Sequence, residues 1–284
     1  MSDKTLTWEE AVQWLRDQPE KSELVKFCYY DDPIESAAER FLQSEEWVEL
    51  ISLLQSKQKS GKVLDIGAGR GISSYAFAKS GYEVTALEPN PSLLVGAESI
   101  RQLSKSTDVK IEVVQDWGET LPFADNTFDI VYGRAVLHHA HDLNKLCQEA
   151  ARVLKPNGYF IATREHVISK KEDLQNFLDS HLLHHLYGGE NAYLLAEYLT
   201  AIKLSGLKIT KTFTPYQSVI NYFPMTKSQR QNLVKPVLTR RLGNLLGNSL
   251  AKLKFLQDLY VWNLDRKLDA AGRHYSFLAI KQSY

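Results

Sequence analysis

The sequence lacks an excess of either charge: 34 Lys and Arg stand against 34 Asp and Glu in 284 residues. Neutrality argues against a protein that merely coats nucleic acid or anionic lipid, because such binding comes from neutralising phosphates. No uncharged apolar run approaches the ~18 residues of a membrane-spanning helix, so no membrane span is expected. Cysteine is almost absent. Cys28 and Cys147 stand alone, without a Cys-x-x-Cys partner, which excludes a disulfide framework and implies two free thiols in a reducing cytosol. The first ten residues have no basic stretch followed by an apolar core. No secretory signal is therefore expected, and the location expected is cytoplasmic. With 44% hydrophobic and 24% charged residues the chain is not a disordered one. It is long enough for one large α/β domain or two small ones.

What is present has a clear order. Residues 1–57 read as helices. Thr7 and Glu10 have capping-box spacing ahead of Val12 and Leu15, and a second helix is expected from Ile34 towards Leu54. From Lys62 strands and helices alternate at short spacing, the sign of a parallel sheet with helices on both faces. The expected fold is α/β and Rossmann-like, with a helical cap over 1–57 and an α/β domain over 58–284. Two segments interrupt the rhythm: 166–191, and a largely helical insertion at 214–272 before the last strand.

The most informative stretch is VLDIGAGRG, residues 63–71, where a strand runs into glycines and then a helix. Gly67 and Gly69 let the backbone bend and let a ligand approach main-chain N–H groups without meeting a Cβ. The spacing departs from the dinucleotide fingerprint: the third glycine, Gly71, falls one residue early, and Asp65 is an addition to the pattern. Glu88 ends the second strand, followed by Pro89. An acid there accepts from both ribose hydroxyls of an adenosine.

Together VLDIGAGRG, ALEPNP, QDWGETLPFADNTFDIVYGRAVLHH and LKPNGYFI resemble the successive motifs of class I S-adenosylmethionine-dependent methyltransferases, over about residues 60–165. The resemblance implies a seven-stranded, mostly parallel sheet of order 3-2-1-4-5-7-6 with the last strand antiparallel. It implies S-adenosyl-L-methionine as cofactor. Asp65 with the turn Gly67–Ala68–Gly69 would hold its methionine part, and Glu88 and Pro89 the ribose. Asp116 would accept from the adenine amino group, Trp117 would lie against the ring, and Arg134 and Ala135 would line the sulfonium end. Trp117 also reads as a core or lid aromatic, and Arg134 as one half of a surface salt bridge.

Methyl transfer from a sulfonium asks mainly for alignment, and a hydroxyl acceptor adds the need for a base. His138, His139 and His166 follow the fourth and fifth strands, where an acceptor would sit. His139 and His166 are the candidates for base or substrate contact, with His138 more structural. His181, His184 and His185 have the spacing of one helix face, and Glu190 follows. Substrate contact by His184, His185 and Tyr187 is preferred there over a metal site. Tyr222 is expected at the pocket mouth. Arg40 meets either the methionine carboxylate or a surface acid. Tetrads of the Asn-Pro-Pro-Tyr type, carried by enzymes that methylate amino groups of DNA or protein, are absent; Tyr132-Gly133-Arg134-Ala135 stands there instead.

Neutrality is a sum. Residues 1–57 hold 6 basic and 13 acidic groups, and residues 226–254 hold 7 basic and none acidic. The insertion is expected to roof the site, the two charged additions closing over it as a lid. The reading is a methyltransferase acting on a small-molecule or saccharide-like acceptor, at oxygen, with no nucleic-acid partner and an open oligomeric state. Its alternatives are a non-catalytic cofactor- or protein-binding member of the fold, and an NAD-dependent dehydrogenase.

Overall fold

The computed structural model describes residues 6–181, 183–187, 191–267 and 271–283. Strands β1 (Lys62–Ile66), β2 (Glu83–Leu87), β3 (Ile111–Val114), β4 (Phe128–Arg134), β5 (Leu154–Ile168), β6 (Tyr193–Leu194), β7 (Leu207–Phe213) and β8 (Arg273–Lys281) form one sheet. Its main path is β3-β2-β1-β4-β5-β8-β7. Strand β8 runs antiparallel between β5 and β7, as expected. The extra strand is β6, two residues that pair with the end of β5.

Helices α1 (Trp8–Arg16), α2 (Ser22–Phe27), α3 (Ile34–Leu42) and α4 (Glu45–Gln55) precede the sheet. The Thr7–Glu10 capping box opens α1. The single helix expected from Ile34 to Leu54 is two, because the Ser44 hydroxyl accepts from the Trp47 N–H and donates to the Phe41 carbonyl. A side chain that offers the backbone such partners ends one helix and starts the next. Helices α5 (Ile72–Lys79), α6 (Ala97–Thr107) and α7 (Leu143–Val153) are the crossovers. Helix α6 starts only at Ala97, since Asn90 and Ser92 cap turns ahead of it. Beyond β5 come α8 (Asp173–Ser180), α9 (His184–Tyr187) and α10 (Leu195–Leu204). Between β7 and β8 lie α11 (Val219–Tyr222), α12 (Lys227–Gln231), α13 (Lys235–Leu250) and α14 (Lys254–Lys267).

The sheet buries apolar side chains on both faces, as parallel sheets do. On one face, rings of Phe41, Trp47, Phe77 and Tyr132 touch in sequence at 5.5, 4.8 and 5.1 Å between centroids. Helices α3 and α4 therefore share a core with α5 and the sheet. The other face packs against α7 and α10 through Leu146, Ala150, Tyr198 and Ile202. Cys147 is buried there, and both cysteines are free thiols.

Candidate active site

At the carboxyl end of β1 the chain turns through Gly67, Gly69 and Gly71, at φ 61°, 55° and 78°. Left-handed backbone of this kind favours glycine. Each glycine has its own reason. A Cβ on Gly67 would lie 2.7 Å from Val136 Cγ2, and one on Gly71 would lie 2.9 Å from Ile100 Cγ2. A Cβ on Gly69 would meet nothing within 4 Å. Two glycines thus serve the protein's own packing, and Gly69 opens on a cavity of about 740 Å³. That vacant approach fits a ligand pressed against the turn. Gly71, which falls outside the dinucleotide spacing, caps α5 in left-handed conformation.

Glu88, at the end of β2, reaches back to the turn and accepts from the Gly69 N–H at 2.7 Å and the Asn90 N–H at 3.0 Å. Burial pushes its carboxyl up. Glu88 and Pro89 line the cavity with Gly67, Ala68 and Gly69. Asp65 does not reach the cavity. It lies behind the turn, 1% exposed, and accepts from the Ser73 and Ser74 hydroxyls of α5 at 2.7 and 2.6 Å. Its place suits fixing the turn rather than touching a ligand.

Burial also holds the Asp65 carboxyl up at about 6, against an ordinary value of 3.8, while the two serine hydroxyls pull the other way. The folded state therefore binds this proton more tightly than the unfolded state. Asp65 contributes stability that is complete below about pH 4 and lost as pH rises through about 6. Asp65→Asn is expected to remove that fall, worth roughly 2–3 kcal/mol across the window. Melting temperatures of both proteins from pH 4 to pH 7.5 test it; parallel profiles would refute it.

Trp117 is exposed and lines the cavity with Gly118 and Glu119. Asp116 stands one residue outside the lining, its carboxylate accepting from the Trp117 N–H at 2.8 Å. Arg134 and Ala135, at the end of β4, both line the cavity. The Arg134 guanidinium grips Glu46 of α4 at 2.7 and 3.1 Å. Glu46 is 1% exposed, so this is a buried pair tying the helical cap to the sheet. Arg164 lies 3.8 Å from the same carboxylate and donates to the Ile220 and Phe223 carbonyls. It occupies the bulge where β5 shifts register against β8, at φ 59°. Arg40 pairs instead with Asp31.

Five of the eight histidines line this one cavity: His138, His139, His166, His181 and His274. The His166 ring is central, 4.7 Å from His138, 5.5 Å from His181, 4.8 Å from His274 and 4.9 Å from Phe177. His138 is buried, with Nδ1 2.9 Å from the Glu165 carboxylate. Glu165 also accepts from the Val136 and His138 N–H groups. Burial raises this carboxyl to about 7 in spite of those backbone donors, and lowers His138. Burial lowers His181 to about 4, so that ring is neutral at physiological pH.

The expected helix face carrying His181, His184 and His185 is not formed. Helix α8 stops at Ser180, and His181 is extended, at φ −78° and ψ 132°. His185 turns away, its ring against the His181 carbonyl. The His184 side chain and Glu190 lie outside the described residues. Among the described residues, no group of three or more His, Cys, Asp or Glu is placed to hold a metal ion. Tyr187 does line the cavity. Tyr222 does not; it lies on α11, with the Arg230 guanidinium 5.9 Å from its ring.

The roof is a different one from that expected. Trp8, Phe27 and Tyr30 of the cap and Phe177, Leu183 and Tyr187 of the 173–187 segment close the cavity. No residue of α11–α14 lines it. The two charged additions touch where Lys227 donates to Glu45 and pairs with Glu49. Summed charge does not place a helix; apolar contacts do, and those of α13 and α14 lie elsewhere. Sequence reasoning missed Glu46, Arg164, Glu165 and His274. Three of these are charged, and Arg164 and Glu165 follow the apolar run Tyr159–Ala162 of β5, which was the available signal.

A family model described as a methyltransferase domain matches residues 64–162. The chain is 35% identical over 140 residues to the sarcosine/dimethylglycine N-methyltransferase of Halorhodospira halochloris, covering 48% of this chain and 47% of that relative. It is 30% identical over 105 residues to the ubiquinone biosynthesis O-methyltransferase of Azorhizobium caulinodans, covering 37% and 40%. Geranyl diphosphate C-methyltransferase from Streptomyces coelicolor A3(2) superposes at a TM-score of 0.59 with 13% identity, covering 99% of this chain and 100% of that one. That likeness concerns the fold alone. The matches span less than half the length of these curated relatives, and the three named enzymes differ in the atom they methylate. The glycine turn, the acid after the second strand and the sheet order agree with that match: residues 64–162 form a methyltransferase domain of the class I S-adenosylmethionine-dependent type.

Proposed function

We propose that this chain transfers a methyl group from S-adenosylmethionine to an oxygen of a small-molecule or saccharide-like acceptor. One observation carries the reading: the cavity that holds Gly69 and Glu88 also holds five histidines. The cofactor, when bound, supplies a methyl group on a sulfonium. The open space above Gly69 and the Glu88 carboxylate suit its amino-acid and ribose parts, and exposed Trp117 suits its adenine, with Asp116 beside it. Arg134 lines the cavity with its charge met by Glu46, which suits a neighbouring sulfonium.

His166 is the base this reading prefers. Its Nδ1 lies 3.1 Å from the Gly272 carbonyl, which only accepts. In the neutral ring Nδ1 therefore carries the proton and Nε2 is the basic nitrogen. Nε2 would take the acceptor's hydroxyl proton, and the cofactor, once bound, would supply the methyl group to that oxygen, its carbon–sulfur bond breaking to leave a neutral thioether. Phe177, Leu183 and Tyr187 exclude water from that step.

Calorimetry with S-adenosylhomocysteine and with NAD is the first test, and tight binding of NAD alone would sink the reading. Assay of a hydroxylated acceptor panel follows. His166→Gln is expected to lower kcat by about 10²–10⁴-fold while affinity for S-adenosylhomocysteine stays unchanged. A product methylated at nitrogen or carbon refutes the oxygen assignment, and cofactor binding without turnover on any acceptor favours a non-catalytic member of the fold.

A further inference from the structure

The helical unit between β7 and β8 has no part in the cavity, yet it displays an unusual surface. Gly243, at φ 78° and ψ 168°, breaks α13 into two halves. The halves fold against each other: a Cβ on Gly247 would lie 2.5 Å from Thr239 Cα, four residues on either side of the break. The turn therefore forms a tip. At that tip Leu245 is 88% exposed and Leu246 63%. On α14, Phe255, Leu259 and Trp262 stand at positions i, i+4 and i+7, one face of a helix. Phe255 is 73% exposed and Trp262 54%. The Arg266 guanidinium lies 4.6 Å over the Trp262 ring.

Cations flank these apolar side chains along the chain. Residues 226–254 hold seven basic groups and no acid. Lys227 is paired with Glu49, and Arg230 and Lys254 share Asp258. Lys235, Arg240, Arg241 and Lys252 make no ion pair among the described residues. Asp265 does not neutralise them, since it accepts from the Thr214 hydroxyl and the Tyr216 N–H.

We infer that the α13–α14 unit seats this protein on the surface of an anionic lipid bilayer. Leucines and aromatics enter the boundary between headgroups and acyl chains, and the arginines and lysines meet the lipid phosphates. Exposed Trp262, with one end apolar and one end polar, suits that boundary. Charge complementarity decides among occupants. A second copy docked by this same face would bring like charge against like. Among the described residues, no helix is long and apolar enough to cross a membrane, so the unit lies on the bilayer rather than through it.

The test is cosedimentation of the whole chain with vesicles of phosphatidylcholine alone, or with about one-third phosphatidylglycerol. The expected result is binding to the phosphatidylglycerol vesicles only, released by about 0.5 M salt. Leu245→Asp with Leu246→Asp, and separately Arg240→Glu with Arg241→Glu, should each lower binding at least about tenfold. Unchanged affinity for S-adenosylhomocysteine and an unchanged melting temperature confirm that the variants fold. Absence of binding to phosphatidylglycerol vesicles, or equal binding by the charge-reversed variant, overturns the inference. A dimer in light scattering that the leucine variant converts to monomer overturns it in favour of a second copy. Charge-dependent binding of soluble polyglutamate without vesicle binding overturns it in favour of an acidic protein.

Discussion

Glu88→Ala should lower affinity for S-adenosylhomocysteine by about 100-fold or more. A carboxylate at the end of β2 that accepts from both ribose hydroxyls makes two charge-assisted hydrogen bonds, each worth roughly 1.5–3 kcal/mol. The structure adds a second reason for a large effect. Glu88 holds the Gly69 N–H at 2.7 Å. Its loss therefore also frees the segment of the turn that borders the open space. The cost to folding is small by comparison, because burial already disfavours this carboxylate. Glu88→Gln keeps an acceptor oxygen and loses the charge, so its affinity should fall between the two. Calorimetric titration measures all three. An affinity for Glu88→Ala within threefold of the parent would remove Glu88 from the cofactor site.

Glu46→Ala should destabilise the fold by about 3–5 kcal/mol, because it strands buried cations. Arg134 grips Glu46 with two hydrogen bonds, and Arg164 lies 3.8 Å from the same carboxylate. All three side chains are largely sheltered from water, so bulk screening does little. Removing the one acid leaves two guanidinium groups facing each other across a site that cannot hydrate them fully. The fall in melting temperature should be about 10 °C for a chain of this size. Glu46→Ala with Arg134→Met should recover part of the loss, since that double variant deletes one of the stranded charges. Scanning calorimetry on single and double variants gives the coupling. A loss under about 1 kcal/mol, ordinary for an exposed pair, would show that the cap does not depend on this contact. Because α4 carries Glu46 and the cap helps to close the cavity, cofactor affinity should weaken in the same variant.

Much of the fold was legible because it rests on local signals. Alternating strands and helices, the glycine turn and the acid after the second strand are contiguous patterns, and the resemblance they carry implied the strand order. The two-residue β6 was not legible, since nothing in Tyr193–Leu194 distinguishes a strand edge from a helix start. The break at Ser44 was missed because the apolar spacing continues across it, while one hydroxyl decides where the helix ends.

The site divides in the same way. Gly67, Ala68, Gly69, Glu88, Pro89, Trp117, Arg134, Ala135, His138, His139, His166 and Tyr187 line one cavity. Asp65, Asp116, His185 and Tyr222 do not. Asp65 lies one residue before the end of the buried strand β1, where its side chain points to α5 instead of outward. The residues that surround the histidines came from far apart. Glu165 meets His138 across 27 positions, and Glu46 meets Arg134 across 88. Sequence spacing carries no information about such pairs.

Zero net charge shows the same division. As a sum it is plain from the residues alone, and so are the opposite charges of residues 1–57 and 226–254. Where those charges lie in space is not. The acidic cap closes the cavity, while most of the basic unit faces away with Leu245 and Phe255 exposed. The chain by itself determined the class of fold and the turn suited to a nucleoside, because backbone requirements such as positive φ and alternating burial are written residue by residue; the strand order came with the resemblance that its motifs carry. Which side chains share the cavity, which acid steadies which cation, and which charged face meets solvent were decided by packing. Those outcomes depend on contacts between segments that no periodicity connects.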